Sequence, residues 1–597
     1  MRLLLCVLED SSTWCRTCTT RDWLTITRRV ENEGFSFLTI TLPAFGQDFE
    51  RSLDQGHLAS ESFLGFKRLR GSPVPAFLSG LLSLIFDAGT GDLLEVPDTN
   101  AIFYVRQICY MFKKVLLPCT KRRTEESFDR YIECEQEVIT DLGVIDTERL
   151  SAFHTISDIL WSVTLGPINR KVVDTDIIPK HGPGATAERI SGNRKFQLLN
   201  WHERLEPFFP ASSFTIPNLG FVEQLESMNF LEPEAETPVR VITVPKTLKT
   251  PRIIAIEPVC MQYTQQALLH PLVAVLESAA LTGGFLNFTD QTVNQRLALS
   301  SSSTGSLATL DMKDASDRVS VKLVETMLRS VPDFRDAVLA CRSTTADVPG
   351  KGVIPLSKFA SMGSALCFPI ESMVFYTICL MAIIQDLGLP LTPKSLRRVV
   401  GSVHVYGDDI IVPVTHVQSV MRELEAFGLL VNRRKSFWTG KFRESCGVDA
   451  YDGVPVTPVY CRRLFPTSRR DASEMLSAIS LRNQLYKAGC WRSAQWLTEL
   501  VEGFAPLPLV SETSPVHGMM SYTFGYETQR MCVNLHRPLV FGITTHVRHR
   551  KSNLDGVFAL LKCLLHQGSL PIFDKRHLER HGRPEAVDIK LRWAPAF

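Results

Sequence analysis

Three carboxylates and a short run of cations are the residues of this chain whose types and spacing suggest chemistry. Gly407-Asp408-Asp409 stands between two β-branched runs within Val403 to Val414, the pattern of a hairpin with an acidic tip. Adjacent carboxylates repel, and they protonate or splay unless a divalent cation neutralises them. Asp311 closes a short apolar run that begins at Leu307, which puts a third acid at a strand end. Such hard oxygen donors suit Mg²⁺ or Mn²⁺, which keep part of their water and bind substrate phosphates. Two ions held this way can activate an attacking hydroxyl and stabilise departing pyrophosphate.

The cations lie in Val239 to Pro258, where two β-rich runs flank a loop carrying Lys246, Lys249 and Arg252. Each feature alone has a plainer reading. Gly-Asp-Asp is good hairpin-turn chemistry, Asp311 can cap a following helix, and a basic loop can be a solvated surface turn. It is the occurrence of all of them in one chain that favours chemistry.

The elements that must position these residues belong to a large chain. It has 597 residues, 45% hydrophobic and 21% charged, enough apolar material for several lobes. With 65 Lys+Arg against 63 Asp+Glu, any nucleic-acid surface must come from arrangement rather than excess charge. The 15 cysteines follow no disulfide-scaffold spacing, which fits a reducing cytosol, and Cys15-x-x-Cys18 lacks the second pair of a zinc site.

The Met1 to Leu8 run lacks a cleavage site and is expected to be a strand rather than a secretory signal. Met373 to Ile384 falls short of the roughly 20 residues of a bilayer span and suits a buried helix. Met261 to Ala280 and Gln418 to Phe427 have helical character, Gly428 to Val431 that of a strand, and the last 130 or so residues that of a helical lobe. Ser212 to Glu236 reads as a connector, and His181-Gly-Pro-Gly184 as a local backbone turn.

Tyr406-Gly407-Asp408-Asp409 resembles the catalytic motif of viral RNA-dependent RNA polymerases. Taken with Val241 to Pro258, Asp290 to Arg296, Ala308 to Ser320, Ser361-Met-Gly363 and Phe442 to Gly447 in this order, the chain resembles the RNA-directed RNA polymerase (replicase) β subunit of single-stranded RNA bacteriophages, the levivirus family. The resemblance covers roughly residues 240 to 465. It implies an α+β right-hand polymerase: an N-terminal region and fingers over 1–300, a palm of antiparallel sheet backed by helices over 301–460, and a mainly helical thumb over 461–597.

The resemblance also implies roles. Asp311, Asp408 and Asp409 would hold two Mg²⁺ ions, with Mn²⁺ a substitute. Lys246, Lys249 and Arg252 would grip the triphosphate, Asp317 would read the ribose 2′-hydroxyl, and Ser361, Gly363 and Ser364 would form the loop that checks the nascent pair. Lys435 would protonate departing pyrophosphate. Two positions depart from the family pattern: Ser364 stands where these replicases usually carry Asn, and Pro369 falls where a helix should begin, so that helix starts later or accepts a first-turn proline.

The implied substrates are ribonucleoside triphosphates and an RNA template, and the implied partners are host elongation factors Tu and Ts and a small-subunit ribosomal protein, in the cytoplasm of an infected bacterium and without a membrane. Lys113, Lys114, Lys121 to Arg123 and Arg548 to Lys551 are candidates for a template channel, though scattered surface bases are commoner. A reverse transcriptase shares the acidic hairpin, but a bulky gate would replace Asp317. A non-catalytic RNA-binding protein would need all the acids and the basic loop to coincide.

Overall fold

The computed structural model describes residues 1–182, 184–547, 554–567 and 587–597. Pro183 of the His181–Gly184 turn and the Arg548 to Lys551 cluster lie outside them. The class is α+β, as expected, and the elements near the three acids are those their local patterns predict. Leu307–Asp311 is a strand, and His404–Tyr406 and Asp409–Pro413 form the two arms of a hairpin. The three make one antiparallel sheet with Asp409–Pro413 in the centre.

Residues alternate across a strand. Ala308, Leu310, Ile410 and Val412 therefore share one face, and they join the largest hydrophobic core together with helix Cys367–Asp386. That helix is buried from Pro369 to Ile384. Its 20 residues make it longer than the apolar run suggested, and by length and composition alone enough to cross a bilayer, yet nearly all of it, Glu371, Ser372 and Thr377 included, is buried inside the protein. Pro369 is accepted in the first turn, where no intrahelical N–H bond is lost.

The basic loop joins two strands of a second sheet, Val239–Val244 and Arg252–Ile256, to which Thr345–Val348 and Gly352–Pro355 are added. Helices Val259–Ser278 and Val417–Ala426 match expectation. Gly428 to Val431 is not a strand. Gly428 takes a left-handed φ of 77° beside Asp141, and only Val431 forms a bridge, to Met312. At the 181–184 turn, His181 stacks on Tyr263 with centroids 4.3 Å apart, and the Gly182 carbonyl accepts from Lys195.

The N-terminal run is also not a strand. Leu3, Leu4, Val7, Leu8 and Cys15 line one face of helix Arg2–Cys15, because the apolar positions recur at three- and four-residue intervals. Cys15 is buried and Cys18 exposed, and no metal-donor cluster gathers there among the described residues. This helix joins Leu42–Gln55 and Thr99–Tyr110 in a core that also takes in Phe437, Phe442, Tyr451, Leu481 and Leu497. The first 115 residues thus pack on chain that follows the acidic hairpin, and a boundary near 460 runs through a shared core.

Beyond 461, helices Ala472–Lys487 and Trp491–Glu502 are as expected, but the region is not a purely helical lobe. Pro538–Val547 pairs along its whole length with Val587–Pro595, and two short strands complete a four-stranded sheet. Its partners are separated by some forty residues, so no local hairpin signal marks it.

One buried ionic group ties the N-terminal region to this scaffold. The Arg106 guanidinium, 2% exposed, bonds Glu50 and Asp449 at 2.7 Å each and donates to the Val456 carbonyl. Replacing it by alanine leaves two buried carboxylates without their cation. Arg106→Ala should lower the unfolding free energy by about 3–5 kcal/mol in urea denaturation followed by circular dichroism. A loss below about 1 kcal/mol would show that the group does not hold the two regions together.

Candidate active site

Strand register brings the acids to one edge. Asp311 pairs directly with Asp409 across the antiparallel ladder, so their side chains leave the same face with Cβ atoms roughly 4.5–5.5 Å apart. A slip of one residue would send Asp409 to the opposite face. The hairpin loop is two residues long, and Gly407 supplies the positive φ, 62°, that such a loop needs. A side chain there would collide with the Phe368 ring, 2.0 Å from a Cβ, and the Gly407 N–H donates to Ser372 Oγ at 3.1 Å. The tip is thereby seated on the central helix, which aims Asp408 outward, where it is exposed.

The carboxylates feel one another. Burial of its surroundings, then the charge of Asp311, raises the Asp408 carboxyl above the usual range, with Lys435 and Lys246 opposing. Asp409 is pushed up to about 7, first by burial and then by Asp408 and Asp311, against the Cys446 N–H that bonds its Oδ2 at 3.2 Å. At an effective dielectric of about 20, two ionised carboxylates about 5 Å apart repel by about 3 kcal/mol. That is a large part of a typical folding free energy, and a cation would relieve it.

Lys435 provides part of that relief. Its ammonium lies 3.3 and 3.4 Å from the two oxygens of Asp311. Burial would lower its pKa, but Asp311, Glu444 and Asp408 more than reverse this and hold it above the ordinary lysine value. Asn432 donates to Asp311 Oδ2 at 2.8 Å, and Ser436 Oγ accepts the Asp311 N–H at 3.1 Å. Asp311 is thus engaged by Asn432 and Lys435 while Asp409 turns to Cys446. Among the described residues no three His, Cys, Asp or Glu side chains, these acids included, converge closely enough to hold a metal ion as they stand.

Of the basic loop, Lys246 comes within electrostatic reach of Asp408 and Asp311, and Arg252 lies close enough to act on Lys246. The Lys246 amine is pushed below its ordinary value by burial and by the charges of Arg252 and Lys435, with Asp408 and Asp311 drawing it back. The side chains of Lys246, Lys249 and Arg252 are all exposed on the loop and its flank. The loop is moored from the N-terminal region: Cys119 Sγ donates to the Thr247 carbonyl at 3.1 Å, and Arg123 to that of Leu248 at 2.8 Å. Arg122 pairs with Glu126, and Lys113 and Lys114 lie on the rings of Tyr110 and Tyr460.

The Ser361–Gly363 loop closes a second side. The Met362 carbonyl accepts from the Ala255 N–H at 2.9 Å, and Gly363 (φ 137°) lies so close that a Cβ would stand 1.9 Å from the Ala255 oxygen. Ser361 Oγ donates to Asp317 Oδ1 at 3.0 Å, while the Ser364 hydroxyl accepts the Leu366 N–H at 3.4 Å. Sequence reasoning missed Asn432, Cys446, Lys358 and Glu371. Asn432 had a signal, the i, i+3 spacing to Lys435. Glu371 is buried in the helix behind the tip, its carboxyl raised well above normal by burial and then by Asp408 and Asp317.

The family described as RNA replicase, beta-chain, matches residues 227–490, a span that contains every one of these site residues. The RNA-directed RNA polymerase subunit beta of Enterobacteria phage SP is 37% identical over 230 residues, 38% of this chain and 37% of that one. The corresponding subunit of Escherichia virus Qbeta is 32% identical over 262 residues, 42% of either chain. The match therefore spans well under half the length of these relatives. A solved structure described as an RdRp complex aligns with 74% of this chain and 41% of its own at 10% identity and a TM-score of 0.44.

The raised Asp409 value has a consequence for stability. An acid whose folded value, about 7, exceeds its unfolded value of about 4 is harder to ionise in the folded state, so in metal-free buffer stability falls as pH rises through that window. Asp409→Asn removes the ionising group and should reduce this fall. Thermal unfolding in a chelator near pH 5 and near pH 8 checks it: a smaller difference between the two pH values is predicted for the variant, and an equal difference would contradict the assignment.

Proposed function

We infer from the RNA replicase beta-chain family, to which residues 227–490 belong, that this protein is an RNA-directed RNA polymerase of an RNA bacteriophage, copying RNA from ribonucleoside triphosphates as the catalytic subunit of a replicase holoenzyme. The observation that carries the reading is that the matched segment is also the one in which Asp311 and Asp409 meet in register beside Asp408, Lys435 and Lys246. Acids and cations on one edge are what a triphosphate substrate and its metal require.

Asp311 and Asp408, with Asp409 assisting, are the ligands for two Mg²⁺ ions, or Mn²⁺ in their place. The fit rests on the donor set, hard carboxylates whose mutual repulsion Lys435, Lys246 and the hydrogen bonds from Asn432 and Cys446 relieve only in part. Bound ions would supply charge neutralisation for the attacking 3′-hydroxyl and the leaving pyrophosphate. The chain itself supplies the rest. Lys246 and Arg252 bind phosphate oxygens, Arg by its bidentate fork and Lys as a compact charge. Lys249, at the loop end, reaches the outer phosphates. Lys435, kept protonated beside Asp311, holds a proton for the departing pyrophosphate. Asp317, Ser361, Gly363 and Ser364 form the sugar-facing wall.

In the right-hand scheme, residues 1–300 would supply the N-terminal region and fingers, 301–460 the palm and 461–597 the thumb, with the first 115 residues bracing the palm–thumb junction. Host elongation factors Tu and Ts, with a small-subunit ribosomal protein, are the proposed partners, and the cytoplasm of the infected bacterium the proposed site.

The test is incorporation of labelled ribonucleotides on an RNA template with Mg²⁺, with and without a bacterial translation-factor extract. Wild type should polymerise and Asp408→Asn should lose at least about 100-fold in rate, since it deletes a ligand charge at constant size. Full activity in the variant would remove the metal assignment, and folded wild type inert under every condition would favour a non-catalytic RNA-binding protein. Lys246→Ala should raise the nucleotide KM roughly tenfold, about 1.4 kcal/mol, with RNA affinity little changed. An equal loss of RNA affinity would place that lysine on the template.

A further inference from the structure

Helix Lys121–Val144 lies far from the acids in sequence, yet it packs on the turn that follows Asp311. Arg318 pairs with its Glu137 and reaches its Asp141 at 3.8 Å, and Arg130 bonds Glu137 and Asp314. One residue is drawn in more deeply. Lys358 is 0% exposed, with its ammonium 3.4 Å from the centroid of the Tyr131 ring, 3.0 Å from Asp317 Oδ1 and 3.5 Å from Glu135 Oε2. The other oxygen of Glu135 accepts the backbone N–H groups of Ser357 and Lys358.

A second donor reaches the same Asp317 oxygen. Ser361 Oγ lies 3.0 Å from Oδ1, and Tyr131 OH lies 3.0 Å from Ser361 Oγ. Among the described residues Asp317 Oδ2 has no donor, and the side chain keeps 22% exposure. One oxygen is therefore tied down from within and the other left as an accessible acceptor.

Burying an ammonium costs several kcal/mol unless it is paired and hydrogen-bonded. Lys358 meets that condition, since Asp317, Tyr131 and Glu135 outweigh the effect of burial and keep it charged. Here an ammonium and a hydroxyl converge on a single carboxylate oxygen.

We propose that Lys358, held by Tyr131 and Glu135, is a positioning residue that fixes Asp317 as a single-orientation hydrogen-bond acceptor and thereby sets the preference for ribo- over 2′-deoxyribonucleoside triphosphates. The inference rests on the polymerase reading of the same site. It gives helix Lys121–Val144 a part in substrate choice although it contributes no side chain to the acidic edge.

The test compares kcat/KM for CTP and dCTP on a poly(G) RNA template, using the protein with the host extract. Wild type should prefer CTP strongly. Lys358→Met should lose about tenfold or more of that preference, as expected for a broken hydrogen bond to a charged group, through a poorer CTP value with dCTP little changed. Lys358→Arg should recover part of it, and Tyr131→Phe, which removes one hydroxyl, should lose a few-fold. Variants that polymerise more slowly with the wild-type CTP:dCTP ratio would overturn the proposal and leave Lys358 a structural fastener. If Lys358→Met does not fold, an unchanged ratio in Tyr131→Phe is decisive against it. Wild type that incorporates neither nucleotide would instead remove the polymerase reading, and this inference with it.

Discussion

The electrostatic conflict between Asp311, Asp408 and Asp409 is the constraint on which the rest of the structure depends. Strand register puts two of these acids opposite each other, and a two-residue loop adds the third, so charge accumulates where burial makes it costly. A fold that keeps such an arrangement must supply cations and stiffness. Lys435 and Lys246 supply part of the charge. The stiffness comes from the loop seated on Phe368 and Ser372 and from a helix buried along nearly its whole length.

Support spreads outward from this edge in layers. The central helix and the sheet share the main core, while the N-terminal helices form a second core with the strands and helices that follow the hairpin. Within that second core the Arg106 group ties the N-terminal helices to the later strands by burying a cation between Glu50 and Asp449. Helix Lys121–Val144 and the Cys119–Arg123 segment act closer to the site, the first on Asp317 through Lys358 and the second on the basic loop. The N-terminal region, which carries no recognisable motif, thus works by position.

What was legible in the sequence was local. The strand ending at Asp311, the acidic hairpin, the two strands around the basic loop and the buried helix each declare themselves within a dozen or so residues, by period, turn glycine or continuous apolar run. Met1 to Leu8 misled because so short a mostly apolar run fits a strand or a helix until the spacing of the buried face is seen. Gly428 looked like the start of a strand but closes a helix. The pairing of Pro538–Val547 with Val587–Pro595 and the Lys358–Asp317 contact depend on long-range meetings that no single window contains. The same holds for the bond of Asp409 to Cys446, which lies in a hairpin turn some forty residues on.

The central claim is that the Asp311–Asp408 edge is a divalent-cation site and not merely a strained turn. Binding of Mn²⁺, followed by electron paramagnetic resonance on wild type and Asp408→Asn at matched circular dichroism, tests it most directly. The account predicts saturable Mn²⁺ binding in wild type that Mg²⁺ competes away and that the variant loses. Equal Mn²⁺ binding by the two folded proteins would contradict it.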